Sequence, residues 1–265
     1  SSAIVIGGGY IGLEVAATLA KSGKDVTVIE AAPRLLARVA SPAISAFFAD
    51  LHADAGTTVI TDVGVEDIAA DHGGFSHVTL SDGRQLSADM LVVGIGVTPE
   101  TALAEAAGIE TGNGILVDAG MQTSVAGIYA IGDGALQRES AYGIRIESVH
   151  NAQDSAERAA AAINGQAPPA VQAPWFWSEQ FGLRLQSAGI FPATADDVVC
   201  LRRPGKRADG FSIWSFRGDE LCAVEAVGDP ASYMFGKTCL EKGLSPTHDA
   251  VTDAAFDMKA FVAAK

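Results

Sequence analysis

Positive charge is scarce in this sequence. Lys and Arg number 18 against 32 Asp and Glu, for a formal net charge of −14. Such a surface is repelled by phosphate, which argues against nucleic acid and anionic membrane as general partners. Cysteine is scarcer still. Cys200, Cys222 and Cys239 all lie in the last third without a C-x-x-C spacing. Neither a disulfide framework nor a zinc site is in prospect, and an odd number of thiols suits a reducing compartment. Buried thiols and a cytoplasmic chain are therefore expected. No apolar run reaches the length of a membrane span, and no basic stretch leads into an apolar core as in a secretion signal. Internal repeats and low-complexity tracts are also missing.

Glycine, by contrast, is plentiful, with 29 residues set among short apolar runs. Residues 3–7 and 25–29 are almost wholly apolar, as expected of parallel strands covered on both faces. Between them Leu13, Ala16, Ala17 and Ala20 recur at helical spacing, predicting a helix over 11–21 that Gly23 stops. Strand, glycine turn, helix and strand make one βαβ unit. A second helix is expected over 44–55 and a strand over 57–61. Short strands at 65–68, 75–80 and 85–86, around turns at Gly73-Gly74 and Asp82-Gly83, predict a β-meander. Residues 90–94 read as one more buried strand, ending in the turn Gly94-Ile95-Gly96. Beyond Pro99 the pattern predicts a helix over 101–107, strands at 115–117 and 128–131, and a helix over 149–163. The stretch 164–174, rich in Pro and Gly, is the linker candidate. Strands at 198–201, 211–216 and 221–227 and a helix over 231–241 follow. The length of 265 residues suits about two compact domains.

Gly7, Gly9 and Gly12 form G-x-G-x-x-G directly after a predicted strand and at the opening of a helix. The first glycine permits the tight turn, the second admits a pyrophosphate to the backbone, and the third lets helix and strand approach. The helix N-terminus supplies amide donors to the phosphates. Glu30 ends the second strand, where a carboxylate accepts ribose hydroxyls and repels a 2′-phosphate, so NAD is favoured over its phosphorylated form. Of the two arginines that follow, Arg34 reads as part of a solvated helix start. Arg38 is the candidate for an adenosine or phosphate contact.

Five segments carry a closer resemblance. They are Tyr10-Ile11-Gly12-Leu13-Glu14, Gly94-Ile95-Gly96-Val97-Thr98-Pro99, residues 123–133 ending in Ile131-Gly132-Asp133, Arg145-Ile146-Glu147-Ser148-Val149, and Pro174-Trp175-Phe176-Trp177-Ser178-Glu179-Gln180. In order and spacing the chain resembles, nearly throughout, the FAD- and NADH-dependent ferredoxin reductases of the putidaredoxin reductase and rubredoxin reductase type. These serve aromatic-ring dioxygenases and cytochrome monooxygenases. The resemblance implies an α/β fold with three parts. Residues 1–97 would be a Rossmann-type NAD-binding domain with a parallel sheet and β-meander, 98–166 part of an FAD domain, and 172–265 an α+β C-terminal domain. It implies FAD and NAD as cofactors. A two-iron two-sulfur ferredoxin or a rubredoxin would accept the electrons. By position, Asp133 would bond the flavin's ribityl chain, and Glu147, Ser148 and Val149 would meet the flavin ring edge at a helix start. Trp177 would lie beside the isoalloxazine. Glu14 would orient the nicotinamide carboxamide, and the Gly94-Ile95-Gly96 turn, with Trp177, would supply the stacking geometry and dry face that hydride transfer needs. No acid–base residue is implied, and His150, though near, is assigned no chemistry.

The family's own first glycine fingerprint, in its FAD-binding half, has no counterpart here. The expectation is that the chain is a fragment or shortened product, inactive alone, that 98–166 packs poorly alone, and that FAD is held weakly. Arg202, Arg203, Lys206 and Arg207 gather four cations near Pro204-Gly205. They are either a docking patch for an acidic ferredoxin or a charged surface hairpin. Arg158 is a second docking candidate. Two rival functions stay open. One is another flavin disulfide-reductase-type enzyme, although Ser245-Pro246-Thr247-His248-Asp249 lacks the His-Pro…Glu pair of the glutathione type. The other is a non-catalytic, NAD-responsive interaction protein.

Overall fold

The computed structural model describes residues 1–71, 74–139, 143–170, 172–191, 197–207 and 209–264. Gly73 of the expected Gly73-Gly74 turn and Val171 of the expected linker lie outside them.

The first unit runs β1 (Ser2–Ile6), α1 (Tyr10–Lys21), β2 (Asp25–Ile29), α2 (Pro42–Asp54), β3 (Thr58–Ile60), β4 (Val65–Asp71), β5 (Gly74–Leu80), β6 (Gln85–Ser87) and β7 (Met90–Val93). Four of these strands form a parallel sheet in the order β3-β2-β1-β7. Its apolar strands face two ways, as a period of two requires. Val5, Val26 and Val28 turn to Leu13, Ala16 and Phe48 of the helices. Ile4, Ile6 and Ile29 turn to Val78 and Leu80 of the antiparallel meander β4-β5-β6. This is the Rossmann-type sheet with β-meander that the sequence predicts.

The second unit holds α3 (Ala102–Ala106), β8 (Thr111–Gly112), β9 (Gly114–Val117), a 3-10 turn at Gly132–Gly134, β10 (Ala135–Gln137) and α4 (Val149–Ile163). Its core is small, built on Val117, Met121, Ala135 and Ala159. The expected strand at 128–131 is not formed. Tyr129 makes a single bridge to Gln122, Ile128 and Ile131 stay exposed, and the third strand is β10 instead. Gly127 and Gly132, both at positive φ, turn the chain at either end of that segment.

The third unit is an antiparallel sheet in the order β11-β12-β15-β14-β13, made by β11 (Trp175–Gln180), β12 (Leu183–Gly189), β13 (Val198–Pro204), β14 (Phe211–Arg217) and β15 (Glu220–Val227). After it come α5 (Pro230–Glu241) and two short helices, α6 (His248–Thr252) and α7 (Met258–Ala263). Strand β14 is buried on both faces. Phe211 and Ile213 join Leu185 and Val227 in the core that contains α1 and α2, while Trp214 and Phe216 pack with Val224 and Phe235 beneath α5. Gly236 lets α5 come that close, because a Cβ there would lie 2.5 Å from Val224 Cγ2. The first and third units thus share one continuous core.

Candidate functional site

The C-terminal ends of the parallel strands carry Gly7 after β1, Glu30 after β2 and Gly94 after β7. That edge is where open α/β sheets bind ligands. Two of the three fingerprint glycines are required by the protein itself. Gly7 has φ +106°, and a Cβ there would lie 2.3 Å from the Gly94 carbonyl oxygen. A Cβ at Gly12 would lie 2.0 Å from the Gly7 carbonyl oxygen. Gly9 is different. It caps α1 at φ −79°, which any residue adopts, and a Cβ there would meet nothing within 4 Å. Packing makes no demand for glycine at that position, and the space it leaves lies before the first amides of a helix. A cradle of this kind fits a pyrophosphate.

Glu30 is held at the rim. Its Oε2 accepts from the Gly8 amide at 2.6 Å and its Oε1 from the Ala32 amide at 2.8 Å. Each carboxylate oxygen keeps a further lone pair. The loop after it is a series of turns rather than the expected helix start. Arg34, read from the sequence as solvated, is half-buried and braces that loop. It donates to the Ala37 and Ala40 carbonyls, both at 2.9 Å, and to Ser45 Oγ. Arg38 is exposed, and its guanidinium lies 3.8 Å from where a Gly96 Cβ would stand. The structure therefore brings Arg38 and Gly96 together at the mouth.

On α1 itself, Ile11 is 69% exposed, a large apolar side chain held in solvent beside the cradle. Tyr10 turns the other way, its ring 4.6 Å from that of Phe176. Burial, reinforced by the Glu225 carboxylate, pushes its phenol far above the usual range and keeps it protonated. Glu14, half-buried one turn on, accepts from Ser178 Oγ at 2.7 Å.

The second group of expected residues gathers at the start of α4. Ser148 caps that helix by accepting from the Asn151 amide at 3.0 Å. Val149 begins it, exposed. The Gly132–Gly134 turn sits against α4 through Gly132 N–H to Ser155 Oγ at 2.9 Å. Arg145 ties the parts together, donating to the Asp133 carbonyl at 2.6 Å and pairing with Glu147 at 2.6 Å. The Asp133 and Glu147 side chains both reach solvent. This is a second helix N-terminus with an exposed carboxylate and apolar Ile131 and Val149 around it, which fits a group with a polar tail and an apolar ring.

Strand β11 lies between the two places and faces both. Phe176 and Ser178 point to Tyr10 and Glu14 of α1. Trp175 points to His150 of α4, with ring centroids 5.3 Å apart, and lies 5.6 Å from Trp177. An aromatic series, His150–Trp175–Trp177–Phe176–Tyr10, thus joins the start of α4 to the start of α1. Trp177, half-buried with Arg184 6.0 Å above its ring, is in the middle.

Residues to which the sequence assigned no role complete the site. Ser178 and Gln180 fall in the quoted tryptophan segment, where strand alternation alone signals their shared face. Their link to His52 of α2 (Gln180 Oε1 to His52 Nε2, 2.9 Å) has no sequence signal. Nor does Glu225, a fully buried carboxylate of β15 that accepts from the Ser41 amide at the start of α2 at 3.0 Å. Burial raises its pKa to about 7, against the opposing pull of the Ser41 bond and Arg34.

The cationic cluster is dispersed. Arg203 is buried and donates to the carbonyls of Val251 at 2.8 Å and Asp253 at 2.6 Å, so it serves the end of α6. Arg202 lies over the Phe211 ring at 3.9 Å. Lys206 and Arg207 stay exposed. Arg158 is neutralised by Asp154 at 2.6 Å. Of the thiols expected to be buried, Cys239 is, Cys222 is half-buried and Cys200 is exposed. His248 packs on Phe216 and meets the Gly218 carbonyl at 3.2 Å.

Together the sheet edge and its glycine turn define an α/β protein of the pyridine-nucleotide-binding class. The chain belongs to the pyridine nucleotide-disulphide oxidoreductase family, which it matches over residues 1–156, and it matches the reductase C-terminal domain over 175–262. It is 42% identical to the 5,5'-dehydrodivanillate O-demethylase ferredoxin reductase subunit of Sphingobium sp., covering 98% of this chain and 64% of that protein. It is 37% identical to putidaredoxin reductase CamA of Pseudomonas putida, covering 98% and 62%. The ferredoxin reductase for the CYP199A2 system from Rhodopseudomonas palustris superposes with a TM-score of 0.92 at 40% identity, covering 99% of this chain and 65% of that one. The chain therefore spans less than two thirds of the length of these relatives. Among the described residues no helix is long and apolar enough to cross a membrane.

Proposed function

We propose that the chain serves an NADH-dependent flavoprotein reductase that passes electrons from NADH through FAD to a two-iron two-sulfur ferredoxin or a rubredoxin. The observation that carries this reading is the space kept open by Gly9 before α1, with Glu30 at its rim and Trp177 beyond it. Bound flavin supplies the conversion of a two-electron hydride donor into single electrons for an iron–sulfur partner.

The chain's own residues do the positioning. The α1 amides receive the pyrophosphate, with Gly9 giving it access. Glu30 accepts from the adenosine ribose and disfavours a 2′-phosphate, which selects NADH. Arg38 and Gly96 border the mouth, and Glu14 orients the nicotinamide carboxamide. At the other end of β11, the α4 N-terminus with Glu147, Ser148 and Val149 receives the flavin ring edge, and Asp133 receives the ribityl chain. Trp177 would lie beside the ring, where a half-buried aromatic side chain would help exclude water. A cytoplasmic setting suits the three free cysteines.

The test is acceptor reduction by the chain joined to the FAD-binding half of a relative and loaded with FAD, with NADH or NADPH as donor and a two-iron ferredoxin as acceptor. The reading predicts NADH-driven reduction that is slower with NADPH and at least about tenfold slower for Trp177→Ala, the scale of lost positioning. NADH bound without acceptor reduction would favour an NAD-responsive interaction protein instead.

A further inference from the structure

Three buried side chains stand behind Glu14, all on the interface between the first and third units: Ser178, Gln180 and His52 are each 0% exposed. Their hydrogen bonds run in one direction only. Burial lowers the pKa of His52, outweighing the Gln180 bond that raises it, so its ring is neutral. With Nε2 protonated it donates to Gln180 Oε1 at 2.9 Å. Its Nδ1, buried without a partner, is then an acceptor rather than an orphaned N–H, the less costly arrangement. Gln180 Nε2 donates to Ser178 Oγ at 3.1 Å, which leaves the single Ser178 hydroxyl proton for Glu14 Oε1 at 2.7 Å. Turning the Gln180 amide over would require the Nδ1-protonated tautomer of His52, stranding that buried N–H without an acceptor, and would draw the Ser178 hydroxyl proton to the Gln180 oxygen and away from Glu14.

The anchor at the far end is firm. Phe181 sits at φ +52° in the two-residue turn between β11 and β12, and its ring meets His52 edge-on at 4.9 Å. A non-glycine residue in that region is sparsely populated and is held here against the α2 histidine. The final acceptor is the only half-exposed member, a carboxylate on the face of α1 that meets β11. A series of donors ending on one carboxylate oxygen fixes that group's rotamer and leaves its second oxygen free to accept.

We propose that Ser178, backed by Gln180 and His52, is a positioning residue that fixes the Glu14 carboxylate for the nicotinamide carboxamide. The C-terminal unit thereby completes the nicotinamide end of a site whose adenosine end belongs to the first unit alone. This rests on the proposed role of Glu14 in NAD binding. It assigns specificity for the nicotinamide half in part to Ser178 and Gln180, more than 160 positions downstream of the fingerprint.

The experiment compares NAD⁺ with ADP-ribose, which lacks nicotinamide, by calorimetric titration of the full chain and its variants. Ser178→Ala is expected to weaken NAD⁺ about five- to tenfold, the scale of one strengthened hydrogen bond to a charged group felt at second hand. ADP-ribose binding should stay within about twofold, since its contacts lie elsewhere. Ser178→Thr, which keeps the hydroxyl, should restore NAD⁺ affinity. In a Glu14→Ala background Ser178→Ala should add nothing. If Ser178→Ala does not fold, Ser178→Cys, a weak donor of similar size, takes its place with the same expectation. Equal loss for both ligands, no loss for either, or additive losses with Glu14→Ala would overturn the proposal. Failure of the unaltered chain to bind ADP-ribose at all would instead overturn the nucleotide site, and this inference with it.

Discussion

At the scale of single residues, Gly9 and Gly12 separate folding from binding. Gly12→Ala puts a methyl 2.0 Å from a backbone oxygen and should destabilise the chain by about 1–3 kcal/mol, as overpacking does. Gly9→Ala meets open space and should cost about 1 kcal/mol or less, the difference between these residues at a helix cap. It should nonetheless weaken dinucleotide binding, because its methyl occupies the cradle. Thermal unfolding beside NADH titration checks both, and equal effects of the two substitutions on stability would contradict the distinction. Arg203 makes a second contrast. It is buried against carbonyls after α6, so Arg203→Ala should cost about 2–4 kcal/mol, the penalty of stranding buried polar groups. Arg202→Ala should cost little in stability. A loss of acceptor reduction on reversing Arg203 would then report folding, not docking. The run of four cations could not reveal this, because strand alternation sends Arg202 and Arg203 to opposite faces of β13.

At the scale of elements, α2 docks on the third unit through a buried carboxyl group, Glu225. Glu225 has a folded pKa of about 7 against 4.5 for a free carboxyl, so folding favours its neutral form. That contribution is present in full below about pH 4.5 and is lost as the pH rises through 7. Glu225→Gln keeps an acceptor for the Ser41 amide and removes the titration. Its stability relative to the parent chain should rise between pH 5 and pH 8, by up to about 3 kcal/mol. Denaturant unfolding at the two pH values measures it, and a pH-independent difference would contradict the raised pKa of Glu225. Helices and strands with strong periodicity, α1, β1, β2, α4 and the meander, were legible from the sequence because each repeats one physical pattern over its length. Residues 128–131 have strand composition but pair with 121–123 through a single bridge, Gln122 to Tyr129, which does not extend into a strand. Short helices α6 and α7 depend on the core under α5 rather than on their own pattern. The glycine turn and Glu30 were equally legible, being local. The Glu14–Ser178–Gln180–His52 series was not, since nothing in the sequence says which strand will lie beside α1.

At the scale of the whole molecule, the first and third units fold around shared side chains. Leu185 of β12 lies in the same core as Leu13 and Phe48. Leu185→Ala should cost about 2–5 kcal/mol and should speed amide exchange in β1 and α1 as well as in β12. Faster exchange confined to residues 175–264 would contradict a common core. A shared core also gives β11 a fixed place between the starts of α1 and α4, which the proposed path from nicotinamide to flavin requires. That path begins with a dinucleotide seated on Gly9 and read by Glu30. The most direct measurement is therefore equilibrium titration of the chain with NADH and with NADPH, before and after Glu30→Ala. Saturable binding of NADH, tighter than NADPH and with the preference lost in the variant, is the predicted result. Absence of NADH binding, or a preference unaffected by Glu30, would contradict the account.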